Sequence, residues 1–171
     1  MGKILSPKAF KILLSASIAS LCIMLMNTVI NFTTLDAQIA LQMEGIGSQL
    51  SGSGVSAESV EAFVRQIVIF SLFFGFVIFG VIYGLFIMYL FKHKKSAAKG
   101  TYLTVMFVLA ILQLAGNGLS LITALPSGNF LFIAQALVGV VPPIMVLVGH
   151  SIQKNYVPPV TNTSNDQPYG Y

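Results

Sequence analysis

Long uncharged apolar runs alternate along the chain with short polar segments, and this alternation predicts the architecture. The clearest run extends from Gln66 to Phe91, which is 26 residues without a charge between Arg65 and Lys92. As an α-helix this run would be roughly 39 Å long. The hydrocarbon core of a bilayer is about 30 Å thick. The run therefore predicts a transmembrane helix with some tilt.

Three further spans follow from the same pattern. The first apolar run ends near residue 35, before the first acid of the chain. The fifty uncharged residues 100–149 are too long for one span, and the turn sequence Pro126-Ser127-Gly128-Asn129 divides them. We therefore predict an all-α fold, an integral membrane four-helix bundle. The predicted transmembrane domain, residues 1–150, has spans at about residues 12–35, 66–91, 101–125 and 130–149.

The charges between the spans predict the orientation. Residues 36–64 hold four acids and are followed by one base, Arg65, whereas the other eight Lys and Arg residues lie before the first span, in the link 92–100 or at Lys154. Lys and Arg are enriched on the cytoplasmic side of membrane proteins. Both termini are therefore predicted to be cytoplasmic in the plasma membrane, and residues 36–64 are predicted to be extracytoplasmic. Four lysines of the link are expected to attract lipid head groups, namely Lys92, Lys94, Lys95 and Lys99.

Composition supports lipid as the solvent and excludes other classes. The chain is 56% hydrophobic and 8% charged, against about 25% charged in soluble domains. The net charge of +4 comes from lysines at the ends of apolar runs, so we predict no nucleic-acid partner. A single cysteine, Cys22, excludes an intramolecular disulfide, and we expect it to be a small packing residue.

Several local features predict where the helices begin and end. Residues 36–50 are weakly amphipathic and are expected to extend the first helix by a turn or two. Ser56 has the character of an N-cap, so the second helix is predicted to begin near Ala57. Glu61 and Arg65 have the spacing of an ion pair on one helix. His93 is expected to be a solvated loop residue, and residues 151–171 a disordered cytoplasmic tail.

Small residues on the second span predict a site of close helix packing. The four candidates for packing within the chain or with a partner are Ser71, Gly75, Gly80 and Gly84. The last two form a GxxxG motif, which allows close contact between helix backbones. The sequence leaves open whether that contact is with this chain or with a partner.

Amides and prolines are the other unusual groups in the spans. Gln113 and Asn117 lie four residues apart near mid-membrane, and Gln135 lies in the next helix. Such amides either form interhelical hydrogen bonds or line a path for a solute or a lipid head group. Asn27 and Asn31 are expected to face the bundle or the interface.

Pro142 and Pro143 predict a kink in the fourth span. Neither residue can donate to the carbonyl four positions earlier, at Val138 and Gly139. In hydrocarbon those carbonyls need another partner. We therefore predict a bend near residues 138–141 with the freed carbonyls turned toward the bundle.

The residue types predict the class of function. The four spans contain no Asp, Glu, Lys, Arg or His, although enzymes need groups that titrate, coordinate or attack. We predict a non-enzymatic protein with no cofactor and no metal, an accessory or assembly subunit of a larger membrane complex. Its expected partners are membrane lipids and other membrane protein subunits. The alternative is a homo-oligomeric channel or small-solute carrier lined by the intramembrane amides.

Part of the chain resembles a group of bacterial proteins. The segments GVSAESVEAFVRQ, KHKKSAAKG and TYLTVMFVLAIL are similar to those of small four-helix membrane proteins of actinobacteria and other Gram-positive bacteria. The resemblance covers residues 55–112 best. Many of those proteins have a Trp after the basic link, and this chain has no Trp. The resemblance implies a bacterial plasma membrane and supplies no activity.

Overall fold

The structure is a computed structural model that describes residues 4–50, 56–95 and 100–158. The described part is all-helical. Its helices are α1 (Pro7–Thr33), α2 (Leu35–Leu50), α3 (Ala57–Lys95), α4 (Thr101–Ser127) and α5 (Phe130–Lys154). All except α2 are long and apolar enough to cross a membrane. They correspond to the four spans predicted from the sequence.

Capping residues set several of the helix boundaries. The Ser6 side chain accepts a hydrogen bond from the Ala9 N–H at 3.1 Å, directly before Pro7 at the start of α1. The predicted start of α3 at Ala57 is confirmed, because the Ser56 hydroxyl accepts from the Ser59 N–H at 3.3 Å. Between α4 and α5, Gly128 has a φ of 65°, a conformation that glycine adopts without strain.

Helix α2 differs from the expectation that residues 36–50 extend the first helix by a turn or two. It is a separate helix of 16 residues that begins after Thr34 and packs on α3. An ion pair of 2.8 Å joins Asp36 to Arg65, next to the predicted Glu61–Arg65 pair at 3.5 Å. Because these groups are well exposed, the pairs orient α2 more than they stabilise it.

The four long helices form a ring with one open seam. Helix α1 packs against both α3 and α5, and α5 packs against α4, whereas α3 and α4 approach each other at few positions. Sequence neighbours are therefore not always neighbours in the bundle. The seam between α3 and α4 is the feature that opens the interior.

The N-terminal segment is fixed at one end of the bundle. The Gln153 side chain accepts from the Ser6 N–H at 2.8 Å and donates to the Ile4 carbonyl at 3.1 Å. The Leu5 N–H donates to the His93 carbonyl at 3.5 Å. The start of α1 and the ends of α3 and α5 thus meet, and we call this the basic end. The opposite end, which carries α2 and the start of α3, is the acidic end.

The buried core lies toward the basic end. Its members are Leu5, which precedes α1, and residues from the half of each long helix nearest that end: Ala9, Phe10, Leu13, Ala16, Tyr83, Phe86, Leu90, Met106, Ala110 and Val146. Gly149 permits the close approach of α5 to α1, because a Cβ there would lie 2.8 Å from the Leu13 side chain. The bundle is therefore densely packed in this half.

The expectation for His93 is wrong. His93 is buried, with its ring centroid 4.2 Å from that of Tyr102, because α3 continues past Phe91 through Lys95. Cys22 is exposed on α1, which agrees with its expected position as a residue of the first span that lies in the lipid. Helix α5 also continues to Lys154, past the predicted start of the tail, and residues 159–171 lie outside the described residues.

Candidate functional site

A cavity of about 360 Å³, here called the deep cavity, lies between the four long helices. Its floor and walls include the apolar residues Phe76, Phe79 and Pro142. Its polar lining comes from α1, α3 and α4: Ser20, Asn27, Thr28, Asn31, Ser71, Tyr83, Gln113 and Asn117. A mostly apolar pocket of this volume with a few polar groups is typical of small-molecule sites.

The two amides predicted at mid-membrane bond to neighbouring helices. The Gln113 amide on α4 donates to the Tyr83 hydroxyl on α3. The Asn117 amide donates to the Gly139 carbonyl on α5 at 2.7 Å. Both side chains also line the deep cavity. Interhelical bonding and a polar lining are therefore properties of the same two residues.

The bond at Gly139 has a cause in the sequence. Pro143 has no N–H to donate to this carbonyl, and Asn117 supplies the donor from α4. Gly139 lets the amide approach, because a Cβ there would lie 3.0 Å from the Asn117 side chain. The sequence predicts that carbonyls freed by the prolines turn toward the bundle. This is confirmed for the Gly139 carbonyl, which accepts from Asn117.

A second cavity of about 700 Å³, the outer cavity, adjoins the deep cavity on the side of the acidic end. The two cavities share Asn27, Asn31 and Asn117. The outer cavity is also lined by Gln38, Ser120, Thr123, Asn129 and Gln135. We call the two adjoining cavities together the amide cleft. Gln135 contributes to its outer part.

The amide cleft is closed toward the basic end. Tyr83 and Gln113 bond across the seam, and the packed core begins directly below them at Phe86 and Ala110. Within the described chain, no residue lining the cleft carries a formal charge. The cleft is therefore suited to uncharged ligands that exchange hydrogen bonds.

Asn27 holds a polar atom without a partner. Its Oδ1 is buried, and no donor among the described residues reaches it. A buried acceptor that lacks a hydrogen bond costs about 1–3 kcal/mol. The amide lies in the wall of both cavities. Oδ1 itself has almost no accessible surface, so a donor in either cavity would reach it only after the side chain turned.

The small residues predicted as a packing site have three different environments. Ser71 and Gly75 line the deep cavity. Gly80 faces α1, since a Cβ there would lie 3.9 Å from Met24. A Cβ at Gly84 would have no neighbour within 4 Å in the described chain. The GxxxG motif thus has one glycine inside the bundle and one on its surface.

The predicted head-group lysines lie at the basic end as far as the structure describes them. Lys92 and Lys94 are exposed, and the Lys94 ammonium lies 4.9 Å above the Phe10 ring. The side chain of Lys95 and all of Lys99 lie outside the described residues. Among the described residues, no group of three His, Cys, Asp or Glu could hold a metal ion.

Asn27 and Asn31, which are expected to face the bundle or the interface, line the amide cleft, although the sequence does not predict them as site residues. The signal for these two residues in the sequence is their spacing of four, which is also the spacing of Gln113 and Asn117. Tyr83 was missed, because nothing in the sequence links it to a residue 30 positions later.

Comparison with protein-family models, curated proteins and solved structures finds no match for this chain. The resemblance to small bacterial four-helix proteins therefore stays a prediction.

Proposed function

We propose that this chain is a non-enzymatic accessory or assembly subunit of a larger membrane protein complex. The observation that carries the proposal is the surface of α3. Gly84 is open on that surface beside Val81, which is 57% exposed, and Leu85, which is 44% exposed. A small residue among larger apolar ones allows a second helix to approach the backbone closely.

The proposed complex lies in a bacterial plasma membrane with both termini cytoplasmic. The basic end, which carries Lys8, Lys94 and Lys154, would then face the cytoplasm, in accord with the enrichment of Lys and Arg on that side. Its lysines would attract anionic head groups. The acidic end, with α2 and the mouth of the amide cleft, would face outward.

The proposal includes a bend in α5 near residues 138–141. Pro142 and Pro143 remove two donors from this helix. The hydrogen bond from Asn117 to the Gly139 carbonyl supports this bend, because a carbonyl that has lost its donor in α5 accepts from α4 instead. The bend would shape α5 for packing around the cleft.

The partner interface is tested by purification in mild detergent and mass spectrometry. We expect a second membrane protein to co-purify in fixed stoichiometry with the wild-type chain. Gly84→Leu should abolish this association, because leucine would hold the partner backbone away. Gly75→Leu on the same helix lines the cleft and should leave the association intact. A chain that elutes alone and monodisperse, or two variants that behave alike, would contradict the proposal.

A second candidate function is a homo-oligomeric channel or small-solute carrier. The amide cleft favours it, since Gln113, Asn117 and Gln135 all line that space. Because a packed core lies at the basic end, the structure fits a carrier that changes conformation better than it fits an open channel.

Liposome flux tests this second function. Reconstituted wild-type protein should carry small uncharged solutes such as glycerol faster than empty liposomes. Gln135→Leu should slow this flux, because it replaces a cleft amide with an apolar group. Equal rates with and without protein, or with and without the substitution, would count against transport.

A further inference from the structure

The deep cavity combines three properties that together define a ligand. The first is its lack of charge: its polar lining consists of amides and hydroxyls such as those of Asn27, Asn31 and Ser71. A ligand with a net charge would lose its hydration there without gaining a counter-charge, which is costly. The ligand group must therefore be neutral.

The second property is access from the side through the seam between α3 and α4. The contacts across this seam lie toward the basic end: Gln113 with Tyr83, and Tyr102 with Tyr89 at 5.8 Å and with His93 at 4.2 Å. Beyond Tyr83 the two helices are walls of the cavity. In this part of the bundle both helices also carry exposed apolar residues, including Phe74 on α3 and Leu119 on α4. An amphiphile could place its polar group in the cavity and its chains along these faces.

The third property is a lining that can both donate and accept hydrogen bonds. Besides Asn27, it contains the amide of Asn31 and the hydroxyls of Thr28 and Ser71. Neighbouring amide and hydroxyl groups of the same wall can donate or accept. A ligand group that carries both a hydroxyl and carbonyl oxygens would match this wall.

We propose that the deep cavity binds the uncharged, hydroxyl-bearing head group of a membrane lipid of the diacylglycerol class, which enters from the bilayer between α3 and α4. The free hydroxyl would donate to the cavity amides, and the ester carbonyls would accept from them. This binding site does not depend on the accessory-subunit proposal, since it lies on the interior side of α3 and Gly84 lies on the outer surface.

The test uses the full chain in phosphatidylcholine nanodiscs with a trace of diacylglycerol that carries a photoreactive diazirine near the glycerol. After irradiation, peptide mass spectrometry should find label on the cavity segments 71–83 and 113–117. Excess unlabelled diacylglycerol should remove that label. Label spread evenly over the exposed face of α3, or equal competition by anionic phosphatidylglycerol, would overturn the assignment. Competition by free glycerol would show a water-soluble ligand instead and would overturn it too.

Matched variants of α3 locate the binding. Gly75→Leu should fill the cavity, because nothing lies within 4 Å of the new Cβ, and should lower labelling roughly tenfold or more. Gly84→Leu, also in open space but outside the cavity, should label like the wild type. Circular dichroism and gel filtration check the fold. Should Gly75→Leu not fold, Ser71→Leu at the exposed edge of the cavity serves the same purpose. Undiminished labelling of a folded cavity variant would refute the site.

Discussion

Replacing Asn117 with leucine is expected to destabilise the folded chain by about 2 kcal/mol. The substitution removes the donor to the Gly139 carbonyl, now at 2.7 Å. Pro143 cannot replace that donor, and the leucine side chain that takes the place of the amide offers none. The loss should appear in the free energy of unfolding, measured in detergent by titration with SDS and followed by circular dichroism.

Ser120→Leu is the matched control for this prediction. Ser120 lies on the same helix and lines the outer cavity, but its hydroxyl bonds to the Gly116 carbonyl of its own helix. Its replacement should change the free energy of unfolding by less than about 0.5 kcal/mol. Equal effects of the two substitutions would show that added bulk, not the lost bond, is responsible.

A double-mutant cycle isolates the bond itself. Gly139→Ala places a Cβ 3.0 Å from the Asn117 amide and should displace it from the carbonyl. Because both substitutions break one bond, their combined effect should be smaller than the sum of the two. Additive effects would mean that Asn117 and Gly139 stabilise the bundle independently.

The four long helices could be predicted because a membrane span depends on length and lack of charge, which the sequence displays directly. The cap at Ser56 and the start of α3 at Ala57 also follow from local sequence. These features need no knowledge of which helices are neighbours. The open seam does need it, because hydropathy does not show that α3, although consecutive with α4, packs on α1.

The bond at Gly139 shows how far the site could be predicted. The prolines identify the carbonyls that lose their donors, and Gly139 marks a place where a polar group can approach. The identity of the donor, Asn117, depends on the relative rotation of α4 and α5, which hydrophobic pattern does not determine in spans that are apolar on every side.

Gln153 shows what sequence could not predict. It lies among polar residues that look like the start of a tail, yet it is buried and bonds to the backbone at Ile4 and Ser6. Backbone groups are the same at every residue, so no side-chain pattern identifies them as partners across 147 positions. The burial of His93 could not be predicted for a related reason. The length of α3 beyond its apolar run depends on packing against Tyr102.

The central claim is that the chain crosses a membrane four times, with the basic end in the cytoplasm and the amide cleft open to the other side. Accessibility of single cysteines in intact cells tests it most directly. In a Cys22→Ser background, cysteines replace Ser59 near the acidic end, Ser151 at the basic end and Thr123 in the outer cavity; all three positions are exposed.

A membrane-impermeant maleimide should label the cysteines at 59 and 123 in intact cells. The cysteine at 151 should react after the cells are permeabilised and not before. Labelling at 151 in intact cells, with positions 59 and 123 protected until permeabilisation, would contradict the proposed orientation and place the cleft on the cytoplasmic side.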